Sequence, residues 1–253
     1  MPSRHADPSE STRLVLGLQP VREAVKRHGA ALLEVLIEDK PSPKLDALNR
    51  FATDQNVARV RRVSRSELDR LSHGVHHQGV AARAPALELL SLDALIADPA
   101  LVAIALDSIQ DPHNFGAVIR CAVALGGAAV IFGEHSAAPL TPATFRASAG
   151  AIEHARLCRV RSLGDALSTL HDNAVRVVGL DAQAPKPLSS TDLSGPCVLV
   201  LGSEGEGLGR GIKRHCTELA TLGAPRTIDS LNASVAAGIA LYEAVNQRLK
   251  TKS

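Results

Sequence analysis

Three segments of the chain combine polar side chains and glycines directly after short apolar runs. They are residues 107–120 (DSIQDPHNFGAVIR), 198–209 (VLVLGSEGEGLG) and 227–236 (TIDSLNASVA). In open α/β sheets, ligands bind outside the carboxyl ends of the strands, which is where such segments lie. The three segments are therefore the candidates for a ligand site.

The first segment offers an amide and a guanidinium. Asp111-Pro112 is a helix-start signal, and Asn114 precedes Arg120 by about 1.7 helical turns. The two side chains can converge on a phosphate or sugar only if Asn114 still lies in the loop. The alternative interpretation is a capping asparagine and a surface arginine.

The second segment is a strand that enters a run of closely spaced glycines. Glycine lets a ligand approach the backbone, whose amides then act as donors. The G-x-G-x-x-G spacing of dinucleotide loops and the G-K-[ST] of phosphate loops are both missing. A simple turn remains the alternative, but Glu204 among the glycines predicts an exposed, positioned acid.

The third segment opens the last predicted helix and contains more capping residues than one helix needs. Ser230, Asn232 and Ser234 are all candidate caps. The surplus indicates ligand contacts.

Two alternating series of strands and helices position these segments. The first predicts a small α/β unit, and the second predicts a parallel sheet covered on both faces, with a final helix over residues 231–249. We predict a flexible tail (1–12), an N-terminal domain (13–84), a linker (85–100) and a C-terminal domain (101–253).

Charge differs between the two parts of the chain. Residues 13–84 hold 13 Lys and Arg against 8 Asp and Glu, a balance of +5, whereas residues 85–253 hold 14 against 16, a balance of −2. A basic lobe suits a polyanion-binding module, and the run 59–65 (RVRRVSR) could contact phosphates. A solvated basic surface without a partner is the alternative.

Membrane and metal sites are not expected. No apolar run is long enough to span a bilayer and the start is polar, so we expect a cytoplasmic protein without a membrane partner. The four cysteines form no C-x-x-C pair, which disfavours a zinc site and predicts reduced thiols.

Taken together, three motifs resemble those of the SpoU/TrmH family of SPOUT-class RNA ribose methyltransferases. They are D-P-H-N-x-G-A-x-x-R at 111–120, L-G-x-E-G-x-G at 201–207 and S-L-N-x-S-V-A at 230–236. The resemblance extends over about residues 101–249. It implies a SPOUT-type parallel sheet with a C-terminal trefoil knot, S-adenosylmethionine as cofactor, and a homodimer whose active site draws on both subunits.

The resemblance also implies roles for individual residues. Asn114 and Arg120 would act at the ribose and the neighbouring phosphate, Glu204 would organise the site, and Ser230 and Asn232 would complete it. The cofactor would be held largely through backbone groups, at Gly202, Leu222 and Leu231, with Gly205 and Ser234 beside them. Leu222-Gly-Ala-Pro225 departs from the Ile-Pro-Met-like turn expected there.

A weaker resemblance reaches the N-terminal part. GLQPVREA at 17–24 and HQGV at 77–80 are similar to the substrate-binding extension of ribosomal RNA enzymes of this family. With four Phe, one Tyr and no Trp, stacking on many bases is not available, so we expect a structured RNA read by shape and phosphates. The two resemblances together imply methylation of a ribose 2'-hydroxyl, at a guanosine of 23S ribosomal RNA.

The proton acceptor and some alternatives stay open. A guanidinium normally remains charged, so we hypothesise that Arg120 stabilises the developing alkoxide while a phosphate oxygen or water takes the proton. A transfer-RNA ribose methyltransferase or an antibiotic-resistance ribosomal enzyme would use the same chemistry. A non-catalytic RNA-binding protein and a dinucleotide-dependent enzyme are weaker alternatives.

Overall fold

A computed structural model describes residues 12–134, 140–223 and 231–251, which divide into two compact units. The first holds the described residues up to Glu88 together with Ala149–Glu153. The second holds Leu89–Ser148 and the described residues from His154 onwards.

The first unit is a four-stranded mixed sheet with helices. Its elements are β1 (Thr12–Leu16), α1 (Leu18–His28), a 3-10 turn (Gly29–Ala31), β2 (Glu34–Glu38), α2 (Pro43–Asp54), β3 (Val60–Val63), α3 (Arg65–Ser72) and β4 (Val80–Pro85). The strand order is β1-β4-β2-β3, in which only β2 and β3 run parallel. The predicted small α/β unit is confirmed.

Alternation along its strands gives this unit two cores. Val15, Val35 and Ala82 pack with α1 and α2, whereas Leu36 and Ala81 pack with Leu68 of α3. The first core is the larger because two helices cover that face. Ser64 caps α3 by accepting a hydrogen bond from the Glu67 N–H, as its S-x-x-E sequence predicts.

The second unit is a six-stranded parallel sheet. Its elements are α4 (Leu92–Ile96), β5 (Val102–Leu106), α5 (Pro112–Ala124), β6 (Ala129–Gly133), α6 (Pro142–Ala147), β7 (Arg156–Val160), α7 (Leu163–Asp172), β8 (Arg176–Leu180), a 3-10 turn (Leu188–Ser190), β9 (Cys197–Leu201), α8 (Arg210–Lys213), β10 (Glu218–Ala220) and α9 (Ala233–Thr251). The strand order is β10-β8-β9-β5-β6-β7. The predicted parallel sheet is confirmed.

Burial explains why these strands read as continuous apolar runs. Every residue of β9 (CVLVL) is buried, because helices cover both sides of the sheet. Leu95 of α4 and Leu167 of α7 pack against one face, and α5 and α9 pack against each other and against the other strand residues. The described part of the chain contains no helix long and apolar enough to cross a membrane.

The structure differs from the predicted elements at several places. Strand β7 was not predicted, and β10 ends at Ala220 rather than at Leu222. The segment 85–100 contains a helix, and Leu95 within it is completely buried in the core of the second unit. This segment therefore supplies part of that core as well as connecting the two units along the chain.

Candidate active site

The glycine-rich segment and the first polar segment lie side by side. Strands β5 and β9 are neighbours in the parallel sheet, and Leu106 pairs in register with Leu201. Because both strands end at the same edge, residues 107–111 and 202–209 leave the sheet next to each other. This is the ligand-binding edge of an open α/β sheet.

Asn114 lies in the first turn of α5. The helix begins at Pro112, and the Asp111 carboxylate caps it by accepting the His113 N–H at 3.0 Å. The Asn114 side chain is buried, and its amide nitrogen donates to Oε1 of Glu204 at 3.1 Å. The first and second motifs therefore meet directly.

The carboxylate of Glu204 joins all three segments. Besides Asn114, its Oε1 accepts the Asn232 side-chain amide at 2.6 Å and the backbone N–H of Ala233 at 3.0 Å. Ala233 is the first residue of α9, where unpaired N–H groups and the helix dipole favour a negative charge. A single acid thus fixes α5 and α9 relative to the glycine-rich loop.

Asn232 caps α9 and at the same time contacts Asn114. Its Oδ1 accepts the N–H groups of Ser234 and Val235 at 3.0 and 3.3 Å and the Ser234 hydroxyl at 2.6 Å. Its amide nitrogen donates to Asn114 Oδ1 at 3.0 Å. The Ser234 hydroxyl is therefore bonded to the cap residue rather than pointing free into a ligand site, and the predicted residue Ser230 lies outside the described residues.

The glycine-rich loop is a narrow hairpin. Ser203 and Gly207 exchange two backbone hydrogen bonds, of 3.2 and 3.0 Å. A Cβ at Gly202 would lie 2.1 Å from the carbonyl carbon of Gly207, so only glycine is possible there. Gly205 at the tip has φ +88, in the region that favours glycine. These glycines place Glu204 at the tip of the hairpin.

The residues predicted to hold the cofactor lie along the same edge. Gly202 follows β9, Leu222 follows β10, and Leu231 directly precedes Asn232. Among the described residues, the backbone groups of Gly202 and Leu222 make no hydrogen bond. Such peptide groups can hydrogen-bond a nucleoside cofactor, and an apolar side chain such as that of Leu231, which is 45 % exposed, can contact it. Both suit a cofactor that is held mainly by main-chain groups.

The structure does not bring Arg120 to this cluster. Asn114 is already helical, so six residues separate the two side chains by about 120° around α5 and they point in different directions. Arg120 is exposed, and its side chain forms no ion pair or hydrogen bond with the described residues. The condition for convergence, that Asn114 still lies in the loop, is not met, because α5 begins at Pro112.

Most of the predicted basic run in the N-terminal unit is neutralised internally. Arg61 lies within 3.7 Å of Glu34 and 3.5 Å of Glu67, Arg62 pairs with Asp46, and Arg65 lies 3.8 Å from Asp69. Carboxylates so close cancel much of the potential that a phosphate backbone would meet.

The two N-terminal segments that carry the weaker resemblance contact each other. The N–H of Leu18 donates to Gln78 Oε1 at 2.9 Å. The buried ring of His77 lies 2.9 Å from Asp69 and accepts the Gly79 N–H at 3.0 Å. His77 therefore fixes the turn before β4 rather than facing a ligand.

One residue of this edge was not singled out from the sequence. Asp107 follows β5 directly, is buried, and accepts the Gly209 N–H at 2.8 Å. Its only sequence signal is an acid immediately after an apolar strand.

Comparison with known proteins agrees with this geometry. Residues 101–242 match the model of the SpoU rRNA Methylase family, and residues 14–90 match the RNA 2'-O ribose methyltransferase substrate binding model. The chain is 37 % identical over 247 residues to the 23S rRNA (guanosine-2'-O-)-methyltransferase RlmB of Xanthomonas campestris pv. campestris, covering 95 % of this chain and 99 % of that protein.

Two further relatives span nearly the whole chain. An uncharacterised tRNA/rRNA methyltransferase of Mycobacterium sp. (strain KMS) is 36 % identical over 97 % of this chain and 80 % of its own length. The crystal structure of the SpoU methyltransferase AviRb from Streptomyces viridochromogenes with AdoMet superposes with a TM-score of 0.77 at 26 % identity, covering 95 % of this chain and 92 % of AviRb. The chain therefore belongs to the SpoU rRNA methylase family of RNA 2'-O-ribose methyltransferases.

Proposed function

We propose that this protein transfers the methyl group of S-adenosylmethionine to the ribose 2'-hydroxyl of a guanosine in 23S ribosomal RNA. The observation that carries the proposal is the hydrogen-bonded cluster of Asn114, Glu204 and Asn232, which joins all three motif segments. The full-length similarity to RlmB of Xanthomonas supports the choice of substrate, because it includes the substrate-binding region.

Methyl transfer to a hydroxyl is an in-line displacement, so alignment is the main task of the protein. The cofactor supplies a methyl group on a positively charged sulfur. Gly202, Leu222 and Leu231 would hold it through main-chain groups, with Gly205 and Ser234 beside them. Asn114, Glu204 and Asn232 would orient the ribose, and such alignment can lower the barrier by about 7 to 11 kcal/mol.

Arg120 has a different task in this proposal. Its guanidinium would hold the phosphate next to the target ribose and stabilise the developing alkoxide, while a phosphate oxygen or water takes the proton. Ser230 would complete the site from the segment before α9. The exposure of Arg120 and its direction away from Asn114 support a role in the active site of a second subunit.

A homodimer supplies that second subunit. Val235, Ile239 and Tyr242 lie on one side of α9 and are 49 %, 42 % and 58 % exposed, although all three are apolar or aromatic. Helices usually bury such a stripe, and two-fold dimers, the commonest oligomers, pair through one patch of each subunit. Cys121 of α5 faces Gly238 of α9, so Arg120, the residue before it, belongs to a helix that packs against the helix carrying the stripe.

The two domains would have separate tasks. The N-terminal domain (13–84) would bind the structured RNA, and residues 85–100 would join it to the catalytic domain (101–253). Membership of the SpoU family supports a C-terminal trefoil knot. Because its substrate is ribosomal RNA, the enzyme would act in the cytoplasm.

A methylation map tests the proposed function. The purified protein is incubated with labelled S-adenosylmethionine and either 23S ribosomal RNA or transfer RNA, both from a strain that lacks the enzyme, and the label is mapped by primer extension. We expect a single 2'-O-methylguanosine in 23S ribosomal RNA and none with Glu204→Ala. Label on a base would refute the chemistry, and label only in transfer RNA would refute the substrate.

A further inference from the structure

Asp107 is attached to both ends of the glycine-rich loop. Its backbone N–H donates to the carbonyl of Leu201, the last residue of β9, at 2.8 Å. Its side-chain Oδ2 accepts the N–H of Gly209 at 2.8 Å. One residue of the neighbouring strand end therefore spans the seven loop residues between Leu201 and Gly209.

The position of Glu204 depends on these two attachments. Between them Ser203 and Gly207 close the loop by exchanging two hydrogen bonds, and the side chain of Leu208 is buried in the core of the second unit. Gly205 and Gly207 have positive φ and no neighbouring atoms within 4 Å of where a Cβ would lie, so no packing holds the tip. The tip is therefore held by the hydrogen bonds of the Glu204 carboxylate and by the places where the loop begins and ends.

The side chain of Asp107 is itself held in place. It is 7 % exposed, and its Oδ1 accepts the hydroxyl of Ser108 at 3.1 Å. Ser108 adopts a left-handed conformation with φ +59, which is uncommon for a residue other than glycine and occurs mostly where surrounding structure enforces it. Asp107 forms no ion pair among the described residues, and its Oδ2 bonds the loop while its Oδ1 bonds Ser108.

We propose that Asp107 is a positioning residue, which holds the glycine-rich loop so that Glu204 reaches Asn114 and Asn232. Asp107 makes no hydrogen bond to the cluster among the described residues, so it would act through the loop. The inference rests on the proposed function, because it concerns the same site.

Hydrogen exchange and kinetics of two variants test the inference. Asp107→Ala removes the acceptor for Gly209, whereas Asp107→Asn keeps an oxygen in the same place. We expect faster amide exchange over residues 202–209 and a kcat lower by about 10²-fold in Asp107→Ala, since small displacements have effects of that size. Exchange within β9 and the KM for RNA are expected to stay unchanged, and Asp107→Asn is expected to recover most of the kcat.

Asp98→Ala is the matched control. Asp98 lies before β5, at the opposite end of the strand that Asp107 follows, and accepts the Ala100 N–H at 2.9 Å while pairing with Arg156 at 2.7 Å. Asp98→Ala removes a comparable set of bonds far from the cluster. We therefore expect it to lower Tm about as much as Asp107→Ala does, without faster amide exchange over residues 202–209.

Three results would overturn the inference. They are unchanged exchange over residues 202–209 in Asp107→Ala, an unchanged kcat in that variant, or an equal fall of kcat in Asp98→Ala. If the unaltered protein methylates no RNA, the proposed function fails, yet the exchange experiment still decides whether Asp107 holds the loop.

Discussion

The side-chain amide of Asn232 donates to the side-chain carbonyl of Asn114 at 3.0 Å, although 118 positions separate the two residues. Both amide nitrogens also donate to Oε1 of Glu204. Each asparagine thereby orients the other, since the carbonyl of Asn114 is an acceptor only while its nitrogen faces Glu204. The site is a closed network in which every member limits the rotation of the next.

Asn114→Asp is expected to damage this network more than Asn114→Ala. Aspartate replaces a donor to Glu204 by a second carboxylate, and two carboxylates at hydrogen-bond distance repel each other when ionised. We expect the aspartate variant to be less stable than the alanine variant by about 1 to 2 kcal/mol at pH 7. Urea unfolding of the two variants at pH 7 measures this difference. An equal stability of the two variants at pH 7 would contradict the network.

Strand order along the chain made the convergence of the motifs predictable. A polar segment after β5 and a glycine-rich segment after β9 must lie at one edge of a parallel sheet, whatever the details of the connections. The sequence could not show that β5 and β9 are neighbours, because 90 residues separate them and pairing over that distance leaves no local pattern. The family resemblance supplied what periodicity lacked.

Other features had no usable signal. Strand β7 (RLCRV) lies at the edge of the sheet, and its two arginines interrupt the apolar run that marks a buried strand. The grouping of Ala149–Glu153 with the N-terminal unit depends on the buried carboxylate of Glu153, which accepts hydrogen bonds from Arg13 and lies 2.9 Å from His28. These partners are far away along the chain, so their contact cannot be inferred from spacing.

Glu218→Gln is expected to reduce stability in a pH-dependent way. The ammonium of Lys186, and then the guanidinium of Arg176, hold the pKa of Glu218 below its usual range, each at 2.8 Å. Because the folded pKa is depressed, the stabilisation is present above the unfolded pKa of about 4.3 and is lost as pH falls through the folded pKa. Urea unfolding should show a loss of about 1 kcal/mol at pH 7 that disappears below the folded pKa. A loss independent of pH would mean that charge is not the cause.

Exposed cations without internal partners are expected to contribute more to RNA binding than the arginines of β3. Lys26 and Arg50 are exposed and have no ion pair among the described residues, whereas Arg61 and Arg62 lie beside carboxylates. The double variants Lys26→Gln/Arg50→Gln and Arg61→Gln/Arg62→Gln remove the same charge. Each lost phosphate contact lowers the slope of log Kd against log salt by about 0.7 to 0.9. A larger change of this slope in Arg61→Gln/Arg62→Gln than in Lys26→Gln/Arg50→Gln would contradict the expectation.

Ile239→Glu is expected to separate the proposed dimer without unfolding the subunit. Ile239 lies in the exposed stripe of α9, so a carboxylate there is solvated in a monomer but buried and unpaired in a dimer. Light scattering after gel filtration should show the mass of one chain, with an unchanged circular dichroism spectrum. Leu33→Glu places the same charge at a residue that is 53 % exposed in the N-terminal unit, and it should remain dimeric. A dimeric Ile239→Glu would mean that this stripe is not the interface.

Mixing two inactive variants distinguishes whether Arg120 acts in its own subunit or in the partner. Arg120→Ala and Glu204→Ala are each expected to be inactive alone. If each site combines Glu204 of one subunit with Arg120 of the other, a mixed dimer contains one intact site. After random exchange in an equal mixture, half of the dimers are mixed, so about a quarter of the unaltered activity should return. If both residues act within one subunit, no mixed dimer has an intact site and the mixture stays inactive.

A mixture of Arg120→Ala with Ile239→Glu/Glu204→Ala is the control. It should restore no activity, because the altered stripe prevents the exchange of subunits on which recovery depends.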